Sequence, residues 1–350
     1  MKRLAICLYL GVLSACTTLT PATENPSSEV ERGVGTESKI KGVRYVMVSV
    51  SDIDATLEFY GGAIGLEVVH RYRLEPDEFG SHLIAQHSDE IEVALVKLTN
   101  TYLKLIDFDL DGNVQGTPRP ITGPGYTHLC FKSPGTDPAF AKFDAVGIDA
   151  ISRGGGPVDL FGAGTEYFYG NDLDGTMIEI EIDQRPRRDD AYWIGHVANV
   201  TPNIDEMVEF YETLLGYPVR RRAALSDNPR ADAIADIDAL RMKGAWFATR
   251  NIELEFWQFE SPETPTRVEP AKLDPIGYSA IAFEVTNLSA EIDRLTKAGV
   301  VFASEPRMEK GWKSVFAYDP DGTLFALEQN ISADESESID QMIWIDPETF

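Results

Sequence analysis

Along residues 40–330 the apolar positions fall into two rhythms that follow one another in a fixed order. Short apolar runs such as Tyr45–Val50 and His128–Phe131 read as strands. Behind each comes a stretch with apolar residues three and four apart, the period of a helix packed on one face. These stretches are 52–62, 137–146, 203–215 and 288–298. Gly65, Gly147, Gly216 and Gly299 lie just beyond them, where a helix stop is expected. Three more strands complete each unit, and an Asp-Gly pair, a strong hairpin signal, often precedes the last. The pattern is β-α-β-β-β, four times over, and predicts an α+β fold.

Alternation inside the last strands assigns their faces. In Thr176–Ile182 the isoleucines at 178, 180 and 182 take one side and Glu179 and Glu181 the other, because successive side chains on a strand point to opposite faces. The isoleucines are expected against the helices and the carboxylates on a concave side. Ile252-Glu253-Leu254-Glu255-Phe256 repeats the arrangement. Taken singly, such glutamates are the wet face of a strand, and Glu181 and Glu253 are read that way.

The units also repeat as pairs. Ile53–Tyr60 aligns with Ile204–Tyr211 at an offset of 151. Gly125-Tyr126-Thr127-His128 aligns with Gly277-Tyr278-Ser279-Ala280, and Asp172–Gly175 with Asp319–Gly322. A period near 150 residues means two similar domains, not a solenoid of short repeats. The expected boundaries are 40–184 (units 40–110 and 124–184) and 192–330 (units 192–260 and 276–330). An acidic extension containing Trp344 follows at 331–350, expected to pack on the last unit or stay loose.

Composition changes the picture mainly at the N-terminus. Lys2 and Arg3 precede an apolar run, Leu4–Leu13, too short for a stable membrane anchor. Leu13-Ser14-Ala15-Cys16 then resembles the lipobox of bacterial lipoproteins. That resemblance implies a signal peptide at 1–15, lipidation of Cys16, and a protein anchored on the periplasmic side of the outer membrane, since Thr17 is not the aspartate of an inner-membrane retention signal. Residues 16–39, rich in Thr, Pro, Ser and Glu, read as a disordered tether reaching roughly 25 Å. No other run is long and apolar enough for a transmembrane helix. Loss of residues 1–15 takes the formal charge from −26 to −28. Such a chain does not bind nucleic acid through its overall field, and anionic lipid repels it. With Cys7 removed and Cys16 acylated, Cys130 has no partner for an internal disulfide.

The candidate chemistry lies at matching positions of the repeat. Histidine is scarce here, with five in 350 residues. His128 opens one unit whose last strand carries Glu179, and His196 opens the next, whose last strand carries Glu255. A lone histidine at a strand start is more often capped or solvated than a ligand. Two of them, each with a glutamate at the partner position, point to a metal. Two imidazoles and two carboxylates suit divalent Ni, Zn, Co, Mn or Fe better than Mg or Ca. Cys130, two residues from His128 and so on the same face, reads as a small buried hydrophobe, with a thiolate near the metal as the alternative. Arg220-Arg221-Arg222 reads as a solvated strand end, with neutralisation of an anionic substrate as the alternative. His70, His82 and His87 have no evident partner.

Four such units resemble the vicinal oxygen chelate superfamily, which includes glyoxalase I, methylmalonyl-CoA epimerase and the extradiol dioxygenases. The resemblance covers residues from about 40 to 330. It implies cupped mixed sheets around a divalent metal, with ligands from the first and last strand of each unit. Carried over unit by unit, those positions hold Tyr45 and Lys104, then His128 and Glu179, then His196 and Glu255, and finally Ala280 and Ala326. In two-domain, single-chain glyoxalase I enzymes the inner units build one site and the outer units another. The resemblance therefore implies one metal site from the second and third units, for which a monomer suffices, and a degenerate second site at Tyr45, Lys104, Ala280 and Ala326.

The activity so implied is a glyoxalase I-like lyase or isomerase. The metal would chelate two adjacent oxygens of a small substrate and stabilise an enediolate, with Glu179 as the base. Glutathione-using members place an arginine four residues after the first-strand ligand, where this chain has Val200. Two alternatives stay open. One is an Fe(II) extradiol-type dioxygenase, against which the fourth ligand, Glu255, argues. The other is a non-catalytic lipoprotein that binds a small molecule.

Overall fold

The computed structural model describes residues 40–75, 82–85, 90–109, 119–134, 138–183 and 191–343. The expected signal peptide, Cys16, the tether, His87 and Trp344 lie outside the described residues. The first unit runs β1 (Ile40–Ser49), α1 (Ile53–Ile64), β2 (Glu67–Leu74), β3 (Ile91–Lys97) and β4 (Tyr102–Asp107). The second runs β5 (Gly125–Lys132), α2 (Ala139–Ala145), β6 (Asp149–Ala150), β7 (Val158–Asp159), β8 (Thr165–Asn171) and β9 (Met177–Asp183). The third runs β10 (Trp193–Val200), α3 (Ile204–Leu215), β11 (Arg221–Leu225), α4 (Pro229–Ala235), β12 (Arg241–Ala248) and β13 (Glu253–Ser261). The fourth runs β14 (Gly277–Val285), α5 (Leu288–Lys297), β15 (Val301–Phe302), β16 (Arg307–Glu309), β17 (Trp312–Tyr318) and β18 (Leu324–Asn330).

The four expected helices form within a residue or two of their predicted ends. Asp52, Asn203 and Asn287 accept hydrogen bonds from backbone N–H groups three residues on, fixing the starts of α1, α3 and α5. Gly216 ends α3 at φ 82°, a left-handed backbone that a side chain would strain. Three elements exceed the simple plan: the two- and three-residue strands β7 and β16, and α4. The last is a single inserted pair of turns, capped by Asn228 with Pro229 at its first position.

Strand pairing decides which units meet. One sheet orders as β15-β17-β18-β14-β1-β4-β3-β2 with β16 on β17, joining the first unit to the fourth. The other orders as β11-β12-β13-β10-β5-β9-β8-β6 with β7 on β8, joining the third to the second. In every unit the first strand lies parallel to the last. The units of each sheet join through antiparallel first strands, β1 with β14 and β5 with β10. Each sheet thus takes one unit from each sequence repeat. Val46, Leu105, Ile178, Ile180, Phe256 and Phe283, from both sheets, pack with the helices into one continuous core.

The concave faces differ. In the outer sheet Tyr45, Met47, Phe316, Ala280, Ala282 and Ala326 belong to a packed apolar cluster that fills the cup. The extension lies across this half as well. The Glu284 carboxylate accepts from Lys41 Nζ (2.8 Å), Ser338 Oγ (2.6 Å) and the Ile339 N–H (2.9 Å). Of the two expectations for this segment, its described part takes the packed one.

Two equivalent asparagines clasp the sheets together. Asn100 Nδ2 donates to the Ile194 carbonyl (2.8 Å) and the Asn251 carbonyl (2.7 Å), and its Oδ1 accepts from Ile194 N–H (2.9 Å). Asn251 Nδ2 donates to the Val43 carbonyl (2.7 Å) and the Asn100 carbonyl (2.7 Å), and its Oδ1 accepts from Val43 N–H (3.0 Å). Both side chains are buried. Each ties the hairpin of one sheet to the first strand of the other. Asn251→Ala removes three buried hydrogen bonds and leaves the Val43 N–H and the Asn100 carbonyl without their side-chain partner, while the Val43 carbonyl keeps Thr101 Oγ1, and a loss of about 3 kcal/mol is expected in urea unfolding. A loss of about 0.5 kcal/mol, the size of a surface substitution, would show that the clasp contributes little.

Candidate metal centre

β9, β5, β10 and β13 are consecutive in the inner sheet. In register, Glu179 stands beside Cys130, two residues past His128. Glu255 stands beside Ala198, two residues past His196, and Ala198 faces His128 across the β5–β10 pair. Alternation keeps all four side chains on the concave face, and the two-residue stagger aims each His/Glu pair at the centre. His128 and Glu179 thus meet His196 and Glu255, as the sequence implies.

The two Nε2 atoms are 3.3 Å apart. Glu179 Oε2 lies 3.0 Å from His128 Nε2 and 2.9 Å from His196 Nε2. Glu255 Oε2 lies 3.0 Å from His196 Nε2 and 3.8 Å from His128 Nε2. All four residues are buried. Separations near 3 Å are what neighbouring ligands on one ion need when each bond is about 2.1 Å long. The ring-to-ring contact points the same way, since two imidazole nitrogens this close gain most from a shared cation. Glu255 Oε2 makes no hydrogen bond of good geometry, a buried lone pair left available to a metal. The residues therefore fit a divalent ion.

Burial pushes the Glu179 carboxyl upward, but His196 and His128 outweigh it and hold the group well below the usual carboxylate range. Glu255 is lowered too, with burial opposed chiefly by His196. Burial disfavours a charged His196, yet the Glu255 and Glu179 carboxylates raise it well above the ordinary imidazole value. A metal binds the neutral imidazole, so its uptake competes with protons at His196.

Several supporting residues escape a reading of the sequence. Trp246 Nε1 donates to Glu255 Oε1 (2.7 Å) and so orients that carboxylate. Trp246 lies opposite Glu255 in the β12–β13 ladder, so the hairpin register was the signal that could have found it. Tyr169 and Trp257 flank the His128 ring at 5.4 and 5.0 Å between centroids. Cys130 is fully buried, with its Sγ 3.7 Å from Glu181 Oε2, and burial pushes its thiol far up. Burial keeps this thiol neutral, and it adjoins the centre, close to both Glu179 and Glu181.

Other candidates take different roles. Glu253 is not the wet strand face expected of it. It is buried and held by Arg220 at 2.9 Å, because Arg220 and Arg221 curl over the cup edge. Glu181 pairs with Lys132 at 3.0 Å. Arg222 pairs with Asp205 on the surface. His70 meets Glu337, and His82 meets the Ala303 carbonyl.

In the outer sheet Tyr45, Lys104, Ala280 and Ala326 occupy the registers of the four donors. Tyr45 OH donates to Glu328 Oε1 (2.6 Å), and Lys104 pairs with Glu309. The alanines are buried under the apolar filling. Among the described residues, the groups of His, Cys, Asp and Glu close enough to hold a metal are His128, Glu179, His196, Glu255 and the adjoining Cys130, Glu179, Glu181. Neither lies in the outer cup.

The chain belongs to the Glyoxalase/Bleomycin resistance protein/Dioxygenase superfamily, whose family model matches residues 42–180 and 193–327. This is the family that the repeated units resemble. Its fold is similar to that of glyoxalase I from Zea mays, at 17% identity and a TM-score of 0.59 over 86% of this chain and 94% of that one. It is also similar to a putative dioxygenase from Bacillus subtilis subsp. subtilis str. 168, at 14% identity and a TM-score of 0.55 over 87% of this chain and 91% of that one. No curated protein sequence matches the chain.

Replacing Trp246 by Phe removes the hydrogen bond that orients Glu255 and keeps most of the ring's volume. Zinc affinity, measured by competition with a chromophoric chelator, should fall about 10- to 100-fold. Unchanged affinity would show that Glu255 needs no such orientation to hold an ion.

Proposed function

We propose that the chain is a divalent-metal-dependent enzyme of glyoxalase I type, a lyase or isomerase with one active site built from the second and third units. The observation that carries this reading is the convergence of two imidazoles and two carboxylates beside a cavity of about 500 Å³, which His196, Glu179 and Glu255 line and behind which His128 is buried. The donor set suits Ni, Zn, Co, Mn or Fe. Such an ion, when bound, supplies a Lewis acid for two adjacent oxygens of a substrate and so acidifies the C–H beside them.

The chain's own residues divide the remaining work. His128 and His196 fix the centre from two different sequence repeats. Trp246 tethers Glu255 through Oε1, which suits it to a fixed role. Glu179 is paired, among the described residues, with the two imidazoles alone. Its carboxylate is the one freer to turn toward substrate. Glu179 Oε accepts the proton from the substrate carbon and returns it to the neighbouring carbon. The proton is conserved and no oxidant is needed. Tyr169, Trp246 and Trp257 keep water from the reacting carbon.

The direct test is proton exchange. In deuterated water, metal-loaded protein should wash deuterium into the C–H beside the carbonyl of α-hydroxy ketones or hemithioacetals. Glu179→Gln should slow this about 10²- to 10⁴-fold, with metal content measured on the same sample. No exchange with any of the five metals sinks the reading. Ferrous-dependent oxygen uptake with catechols would instead favour ring cleavage. A chain that never retains metal would favour a non-catalytic binding role.

A further inference from the structure

The cavity beside the donors is larger than a small polar substrate requires, and much of its wall is apolar. At about 500 Å³ it falls within the roughly 300–1,000 Å³ of sites that enclose drug-sized molecules. Its walls include Tyr169, Leu240, Met242, Trp246, Trp257 and Phe259. Its roof is α4, the helix added to the unit plan, which turns Ala231, Ile234 and Ala235 toward it. That helix belongs to the third unit but is tied to the second. Ser152 Oγ donates to the Ile234 carbonyl (2.9 Å), Arg230 Nη1 donates to the Asp159 carbonyl (3.0 Å), and Arg153 pairs with Asp236 (2.5 Å). Phe161, just past β7 of the second unit, lines the cavity while staying 69% exposed. An exposed aromatic ring at a cavity mouth is an apolar rim.

Charge in the cavity points away from anions. Glu181, Asp183 and Glu253 line it besides the two glutamates of the centre. Both lining cations already face carboxylates, Lys132 with Glu181 at 3.0 Å and Arg221 with Glu253 at 3.6 Å. Arg221 also lies over the Trp246 ring at 3.9 Å. An ion of charge +2 offsets Glu179 and Glu255 and leaves no surplus cation for an acidic tail. The chain's formal charge of −26 repels anions further.

We propose that this cavity takes an uncharged compound with an apolar body of one or two rings, which presents two adjacent oxygens to the centre and lodges its body under α4. The assignment of the adjacent oxygens rests on the metal-dependent reading above. The apolar body and the exclusion of anions rest on the cavity itself. An adduct of a charged peptide thiol is a poor fit.

Four probes test this by isothermal titration of zinc-loaded and metal-free protein, with quenching of Trp193, Trp246 and Trp257 as a second readout. Acetohydroxamic acid and 2-naphthohydroxamic acid both offer two adjacent oxygens, and only the second has the apolar body. Its 6-carboxy analogue adds a negative charge. 2-Naphthamide keeps the body and lacks the adjacent oxygen pair. On zinc-loaded protein, 2-naphthohydroxamic acid should bind at least about tenfold tighter than acetohydroxamic acid and about tenfold tighter than the carboxylated analogue. 2-Naphthamide should bind with and without zinc. Ala223→Asp, at an exposed edge-strand position lining the cavity, should weaken the naphthyl probes and spare acetohydroxamic acid. Equal binding of the two hydroxamates, or tighter binding of the carboxylated one, overturns the assignment. If zinc changes nothing for 2-naphthohydroxamic acid while 2-naphthamide still binds, the metal reading fails and the apolar site stands.

Discussion

The antiparallel pairing of β5 with β10 is the contact on which the centre depends. Each inner unit brings one imidazole and one carboxylate, too few to hold an ion in a closed shell. Only when the first strands of the second and third units lie side by side, with Ala198 facing His128, do the two halves face one another. The peptide chain does not enforce that pairing by proximity alone, because the outer units must close in the same arrangement. Asn100 and Asn251 supply the cross-tie. Each uses both ends of its amide to fasten a hairpin of one sheet to the first strand of the other, so that formation of one sheet favours formation of the second.

The same plan yields two unlike cups. Tyr45, Lys104, Ala280 and Ala326 sit where the inner cup has its four donors, and their chemistry inverts the site. The alanines admit packing, the lysine brings its own charge, and the tyrosine engages Glu328. Glu309 is held low against burial by Lys104. A set of protein ion pairs thus stands where an ion would. The space above is filled by Phe316 and its neighbours, whereas in the inner cup the corresponding space is open and roofed by α4. Packing is completed on one side and withheld on the other, which is how a stable fold keeps one cavity for a ligand.

Much of this was legible in the chain. The change from helical to alternating periodicity located the units. The offset near 150 residues, with histidine and glutamate at matching places in two units only, located the centre. The same offset relates Asn100 to Asn251, but an asparagine in a turn has an ordinary local role, and nothing local shows that it reaches another sheet. Glu253 read as a solvent-facing residue because period two gives the face of a strand and not what covers it. Arg220 and Arg221 arrive from the start of β11, two strands away in the sheet. α4 escaped for a different reason. At seven residues it carries too few turns to establish a period, and its capping pair, Asn228 and Pro229, serves equally well in a turn.

The central claim is that one ion is held jointly by two sequence repeats. Elemental analysis of the purified protein, titrated to saturation with nickel or zinc and then desalted, measures this directly. The structure predicts one ion per chain, lost both in His128→Ala and in His196→Ala, and retained in Tyr45→Ala and Lys104→Ala. Two ions per chain, or one ion that survives removal of either histidine, would contradict it.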